Sequence, residues 1–360
     1  YYHCADCGAG FYPRDRQLGL EKFSLSAAVT RMVASVAALV SFQEGSQLLE
    51  ELAGVRVEAK QVERAAEALG AEIAAAEKQD LEPLSTAALP PTLYLGIDGT
   101  GVPMRPSELQ GRTGKQADGS PKTREVKLCT VWSAESRDPQ NRPVRDEGSV
   151  TYTAAIESAA TLDTNLVPAE FTQRVLREAT RRCFTQAQRQ AVIGDGAPWI
   201  WKIAHELFPR AIQIVDQFHV KEHLSQLGKQ LYSNPDQAKH WAEHRHQELD
   251  SGRFADLLRA VRRHADHSDE ARKCFQYLHR NRERMRYPQF EAAGLCTGSG
   301  VVEAACKGIV GTRLKRSGMR WTVRGANAII ALRCSRLSGT FQDFWERRSE
   351  QRAACLPHLT

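Results

Sequence analysis

The chain has 360 residues, 42% hydrophobic and 26% charged, with 49 Lys/Arg against 43 Asp/Glu, which reads as an ordinary globular chain long enough for two or three domains. No apolar run approaches a bilayer's thickness, because the longest, Ala27 to Val40, is interrupted by Thr30, Arg31 and Ser35, so no membrane partner is expected. The nine Cys are scattered apart from Cys4 and Cys7, which argues against a disulfide framework and for a reducing cytoplasm. Charge is uneven: residues 299–360 carry eleven Lys/Arg and four Asp/Glu. A basic terminal segment on a near-neutral body points to a polyanion such as nucleic acid, or else to a solvated helical face.

In chain order, Cys4-Ala5-Asp6-Cys7-Gly8 is a CxxC knuckle. Two thiolates at that spacing hold one side of a structural Zn²⁺, with His3 a conceivable third ligand and the rest expected before residue 1. Two unliganded Cys in a turn are the equal alternative, so residues 1–20 read as a partial zinc-ribbon-like segment. Ser24 or Ser26 caps a helix with Ala28, Val29, Met32, Val33, Val36 and Val40 at helical spacing. Gln43 to Leu52 and Glu58 to Leu69 follow as two helices about Ala53-Gly54-Val55, the form of a helix-turn-helix within residues 24–77. On that reading Lys60, Gln61 and Arg64 face DNA; a plain helical hairpin is the alternative. Lys78 to Pro91 reads as a linker.

Thr92 to Thr100 is an apolar strand ending in Gly96-Ile97-Asp98-Gly99. A basic, Gly-rich loop from Gly111 to Arg124 follows, lacking the spacing of a phosphate-binding P-loop. It is either a hairpin tip or a flap presenting Lys122 and Arg124 to DNA. Strands Val126 to Trp132 and Val150 to Ile156 precede an amphipathic helix, Phe171 to Cys183. Val192-Ile193-Gly194-Asp195, a helix opening at Pro198, and Ala211 to Asp216 then form a βαβ unit with parallel, buried strands. An acid at the end of an apolar strand is costly unless it binds something. Asp98 and Asp195 are flanked by glycines, which let a metal or phosphate approach closely.

Residues 225–295 read as an all-helical insertion in which His240, His244 and His246 form a solvated face. Residues 296–360 return with Ser299-Gly300 opening a helix whose first turn holds Glu303, placed either for chemistry or for a capping box. Lys307, Arg313, Lys315, Arg316 and Arg320, with Trp321, suit a phosphate-tracking surface. Asp98, Asp195 and Glu303 come from different elements of one α/β domain spanning 92–224 and the C-terminal segment. Converging carboxylates are what two Mg²⁺ or Mn²⁺ ions need, at roughly 4 Å spacing, to clamp a phosphodiester. Asp216 ends an apolar strand in the same way as Asp195, and spacing alone does not separate the two.

The motifs YLGIDGT (94–100), IGDGAPWIW (193–201), FPRAIQIVDQFHVKEHL (208–224) and GSGVVEAACKGIVGTRLKRSGMRW (298–321) resemble those of the DDE transposases of bacterial insertion sequences, of ISKra type and related to Mutator-like enzymes. The resemblance covers nearly the whole chain. It implies an RNase H-like mixed sheet, a helical insertion between the last core strand and the catalytic helix, and Asp98, Asp195 and Glu303 as the metal-binding DDE triad. It implies a supporting role for Asp216 and His219, which match the D/C-x-x-H signature. The expected partners are terminal-repeat and target DNA, bound by a homodimer in the bacterial cytoplasm. Two rivals are a catalytically inactive DNA-binding descendant and an HxxEH zinc metalloprotease built on His219, Glu222 and His223, which leaves Asp98, Glu303 and the basic tail unexplained.

Overall fold

A computed structural model describes residues 2–8, 10–11, 25–79, 81–84, 88–114, 116, 119–159 and 168–354. Ser24 and much of the expected segment 1–20 lie outside them. Near the start, Tyr2–His3 pairs antiparallel with Gly10–Phe11 around the Cys4–Cys7 turn.

Three helices come first: α1 (Ala27–Leu39), α2 (Phe42–Ala53) and α3 (Ala59–Gln79). Ser26 caps α1, accepting the Val29 N–H. Ser41 and Glu44 form a reciprocal capping box on α2, and Gly54 closes it in the left-handed conformation, satisfying the backbone groups a helix leaves open at each end. The buried face of α1 is Val33, Ala34, Ala37 and Ala38, while Met32 is exposed. Helix α3 runs ten residues beyond the expected end at Leu69, because Gly70 is a packing position and not a stop. A Cβ there would lie 2.1 Å from the Ala328 carbonyl oxygen. That carbonyl belongs to α12 (Val323–Leu337), so residues 24–77 share one hydrophobic core with the C-terminal helices.

The sheet comprises β1 (Thr92–Pro103), β2 (Thr123–Ser133), β3 (Thr151–Ala155), β4 (Arg189–Gly194) and β5 (Ile212–Val215), in the order β3-β2-β1-β4-β5. Strand β2 runs antiparallel to β1 and β3, whereas β1, β4 and β5 are mutually parallel. The glycine-rich loop joins β1 and β2, which pair as far as Pro103 opposite Thr123. It is thus a hairpin tip. Helix α4 (Glu170–Arg181) leads into β4, and α5 (Pro198–Leu207), opened by Pro198 at its N-terminus, makes the crossover to β5. The expected buried βαβ unit follows from continuous apolar runs in both strands.

The insertion consists of α6 (Gln217–Leu231), α7 (Pro235–Asp250), α8 (Phe254–Ala265), α9 (Asp269–Asn281) and α10 (Tyr287–Ala292). It contains no strand. Helix α11 (Gly300–Ala305) continues through a π-helical turn, Cys306–Gly311, and α13 (Phe341–Ala354) follows α12. The π turn leaves carbonyls without ordinary helical partners. Arg333 of α12 supplies them, its guanidinium donating to the Ile309 oxygen at 2.7 Å and also to the Gly308 and Ala38 oxygens. Among the described residues no helix is long and apolar enough to cross a membrane.

Gly96 sets how closely α11 approaches the sheet. A Cβ on it would lie 2.1 Å from Cγ2 of Val302 and 2.9 Å from both the Thr130 hydroxyl and the Trp132 ring. Overpacking of this kind costs about 1–3 kcal/mol. Gly96→Ala is therefore expected to lower unfolding free energy by that amount in urea titration. Adding Val302→Ala should recover part of the loss, and full stability in the single variant would contradict the close approach.

Candidate active site

The parallel register delivers three carboxylates to one sheet edge. Strand β1 pairs with β4 up to Ile97 opposite Gly194, and β4 pairs with β5 up to Gly194 opposite Val215. Asp98, Asp195 and Asp216 stand one residue further along each strand. Side chains alternate faces along a strand, so Asp98 shares the face of Gly96, the face covered by α11.

The environments of the three acids differ. Asp216 is buried and its oxygens are occupied. Oδ1 accepts the N–H groups of Phe218 at 2.6 Å and His219 at 3.2 Å, capping α6. Oδ2 accepts the Ser299 N–H at 2.8 Å and the Ser299 hydroxyl. Asp216 thus brackets the start of α6 to the start of α11. Asp195 accepts only the Ala197 N–H, on Oδ1 at 2.8 Å, so its Oδ2 has no hydrogen-bond donor among the described residues. Asp98 accepts the Gly99 N–H at 2.7 Å on Oδ1 and the Cys306 thiol at 3.3 Å on Oδ2. Burial raises the Asp98 carboxyl above its ordinary range; those two donors oppose the shift, the charge of Asp195 adds to it and His219 opposes it. The two aspartates therefore lie near enough to interact electrostatically.

Glu303 stands on the first turn of α11, its side chain 60% exposed. No capping box forms, because the Ser299 hydroxyl is committed to Asp216. Instead Lys307 donates to Glu303 at 2.6 Å, and that bond holds the carboxyl below its usual range. His219, in the first turn of α6, is near enough to both Asp98 and Glu303 to favour their charged forms. Among the described residues no three of His, Cys, Asp and Glu form a ready-made metal ligand set, and the Lys307 bond is what occupies Glu303. The donor chemistry nevertheless suits a hard divalent cation: two carboxylates on adjacent parallel strands, at the level where their pairing with each other ends, one with an uncommitted oxygen.

Two residues not anticipated from the sequence border these acids. Cys306 lies three positions after Glu303, on the same helical face, a spacing from which it could have been found. Tyr277 of α9 donates its hydroxyl to the Asp195 carbonyl at 2.8 Å. It is 82 positions from Asp195 in the chain, so no local pattern points to it. Burial pushes its phenol far above the ordinary range, keeping it a donor. His223 packs against Tyr277 in a tilted contact with ring centroids 4.8 Å apart, and burial lowers its imidazole. Glu222, the expected base of the HxxEH alternative, is exposed and accepts from Gln226 at 3.3 Å within its own helix.

The cationic residues distribute unevenly. Lys122, Lys315, Arg316 and Arg320 line one groove with Met104 and Met319. Lys315 donates to the Thr100 hydroxyl at 2.5 Å, two residues beyond Asp98. Arg316 is paired bidentately with Glu44 at 2.6 and 2.9 Å, which pulls the Glu44 carboxyl down to about 2. Arg124 is partly buried, 4.0 Å from Glu108. Lys60, bonded to Glu63 at 2.6 Å, and Arg64 lie on the exposed face of α3. Arg313 is a correction: it is fully buried and cannot meet a phosphate. Its guanidinium lies between the rings of Phe42 and Trp321, at 4.9 and 5.2 Å, and donates to the Ala37 oxygen at 2.8 Å. Burial lowers it to about 10, the mark of a structural cation held by π faces and a helix end. At the other end of the chain, Cys4 and Cys7 are both exposed. The Gly8 N–H closes their turn onto the Cys4 oxygen at 3.0 Å, and the Cys7 N–H lowers the Cys4 thiol.

Comparison with known proteins gives matches to a family model and to solved structures. The model of an uncharacterised protein family (UPF0236) matches residues 178–351, which includes Asp195, Asp216, His219 and Glu303 but not Asp98. Among solved structures, the Drosophila P element transposase strand transfer complex aligns over 93% of this chain and 84% of that chain, at 10% identity and a TM-score of 0.28. No curated protein matches.

Asp98 carries a testable cost. Its folded-state carboxyl titrates above the ordinary value of 3.8, so the folded chain binds that proton more tightly than the unfolded chain. Stability is therefore lost as pH rises from the ordinary carboxyl value through the raised folded-state one. Asp98→Asn should raise the melting temperature at pH 7, with the difference shrinking toward zero as pH approaches 3.8. Thermal scans across pH check this; a lower melting temperature at pH 7 would show that the carboxylate stabilises the fold.

Proposed function

We propose that the chain is a transposase of the DDE type, cleaving DNA at the ends of its element and joining the freed end to target DNA. The observation that carries this reading is the side-by-side placement of Asp98 and Asp195 where the parallel pairing of β1 and β4 ends, with Glu303 on the helix that crosses the same face. The antiparallel second strand, the three parallel strands and the helical insertion ahead of α11 support an RNase H-like assignment of the sheet. A βαβ edge bearing acids, next to a groove lined by cations, suits phosphodiester chemistry better than peptide hydrolysis, and Glu222, exposed and bonded to Gln226 of its own helix, does not favour the protease alternative.

On this reading Asp98 and Asp195 hold divalent cations, Mg²⁺ or Mn²⁺, through their carboxylate oxygens, and Glu303 joins them once released from Lys307. When bound, such ions neutralise charge on the attacking and leaving oxygens of a phosphodiester. The chain's own groups do the rest. Lys122, Lys315 and Arg320 hold the DNA backbone beside Thr100. Lys307, parted from Glu303, takes a phosphate. Asp216 keeps α11 in register with the sheet, and His219 balances the charge between the acids. In the first step water attacks phosphorus and the bond to O3′ breaks, leaving a 3′-hydroxyl; in the second that hydroxyl attacks a target phosphodiester and displaces another O3′. Lys60 and Arg64 on α3 are the proposed contacts to terminal-repeat DNA, and a homodimer in the bacterial cytoplasm would hold two ends. Cys4 and Cys7 would supply half of a zinc knuckle.

Mg²⁺- or Mn²⁺-dependent cleavage of DNA carrying the element's terminal repeats tests this. Wild type should cleave, and Asp195→Asn should lose at least about a hundredfold in rate, the scale of a lost transition-state contact. Equal cleavage by both proteins would refute the assignment.

A further inference from the structure

The helical insertion meets the site edge through three side chains of one short stretch. Tyr277 donates to the Asp195 carbonyl at 2.8 Å. Tyr287 donates to the Val215 carbonyl at 2.9 Å, and Arg284 donates to the Gln213 side chain at 2.7 Å. The contact at Asp195 has the most specific fit. Gly196 takes φ +96, a conformation that side chains rarely adopt, and a Cβ there would lie 2.5 Å from the Tyr277 ring. The ring therefore occupies the space a side chain would fill, and its hydroxyl reaches back to the preceding residue. Asn281, itself buried, donates to the Tyr277 backbone carbonyl at 3.1 Å, and His223 of α6 packs against the ring with centroids 4.8 Å apart and planes tilted by 49°. Tyr277 is thus fixed from its own helix and from α6 before it touches Asp195.

We propose that Tyr277 is a positioning residue for Asp195: the insertion, through this one hydroxyl and the glycine turn it covers, sets where the Asp195 carboxylate stands and hence how tightly it holds a divalent cation. The inference rests on the reading of Asp195 as a metal ligand. Asp195 is the first residue after β4, whose pairing ends at Gly194, so the ladder does not extend to its backbone. Its only side-chain bond is a local one to the Ala197 N–H, which turns with the backbone. The Tyr277 hydroxyl is the one non-local hydrogen bond to this residue among the described residues, and it comes from the insertion.

The test is Mn²⁺ binding to the full chain without DNA, followed by electron paramagnetic resonance of the free ion, beside thermal melting. Loss of one neutral hydrogen bond corresponds to a few-fold to about tenfold change in an equilibrium constant. Tyr277→Phe, which keeps the ring, is expected to weaken Mn²⁺ binding by about three- to tenfold. Gly196→Ala, which displaces the ring, should weaken it in the same direction. Tyr287→Phe loses an equivalent bond, to a carbonyl that precedes no proposed ligand, and should cost similar stability while leaving Mn²⁺ affinity within twofold. If Asp195→Asn abolishes binding while Tyr277→Phe leaves it unchanged, the positioning role is wrong and the metal site stands. The same holds if Tyr287→Phe weakens binding as much as Tyr277→Phe, which would mark a general structural effect. If Asp195→Asn binds Mn²⁺ like wild type, the metal site and the positioning role fail together.

Discussion

The contact of Val302 with the bare backbone at Gly96 is the constraint on which the site depends. It lets α11 lie directly on β1, two residues before Asp98, so that Cys306 reaches the Asp98 carboxylate and Glu303 stands over the same face. The approach is held from several sides. Asp216 ties the first turn of α11 to α6, Arg333 satisfies the carbonyls of the π turn that follows, and Arg313 pins the next turn to the end of α1. Each of these anchors is buried and polar; Asp216 and Arg333 are matched by hydrogen-bond partners, whereas Arg313 is held by one carbonyl and two aromatic faces and leaves its Nη2 without a hydrogen-bond partner among the described residues. The helices at the two ends of the chain are therefore the mould in which the acidic edge is cast.

Gathering carboxylates has an electrostatic cost, and the fold shows where it is borne. Asp98 is pushed toward its neutral form by burial and by Asp195, while its bonds to Gly99 and Cys306 and the nearby His219 resist that push. Glu303 avoids the cost by remaining exposed and bonding Lys307. An exposed pair at this spacing is worth only a few tenths of a kcal/mol, so Glu303 can exchange Lys307 for a cation at little expense. A cation bound at this edge would offset the carboxylate charge gathered there.

Much of this was legible in the residues. The βαβ unit, the hairpin loop and the helical insertion followed from apolar runs, turn residues and the absence of strand patterns between Leu224 and Phe290. Asp98 and Asp195 could be read because each closes an apolar run and is followed by a glycine, although β1 itself continues past Asp98 to Pro103. What escaped depended on pairing between distant segments. Gly70 looked like a helix end until Ala328 was placed against it. Arg313 looked like its basic neighbours in a run from Lys307 to Arg320, although Phe42 and Trp321 enclose it. Asp216 and Asp195 were equivalent as strand ends until Ser299 and the α6 N-terminus filled the oxygens of one of them. Tyr277 had no local signal at all, since its role rests on docking of the insertion against the turn after β4.

The most direct measurement is a crystal structure of the full chain grown with Mn²⁺, with the metal located by its anomalous scattering. The account predicts Mn²⁺ between the Asp98 and Asp195 carboxylates, with Glu303 turned from Lys307 toward it. Manganese bound elsewhere, or an empty edge at saturating Mn²⁺ with Glu303 still on Lys307, would contradict it.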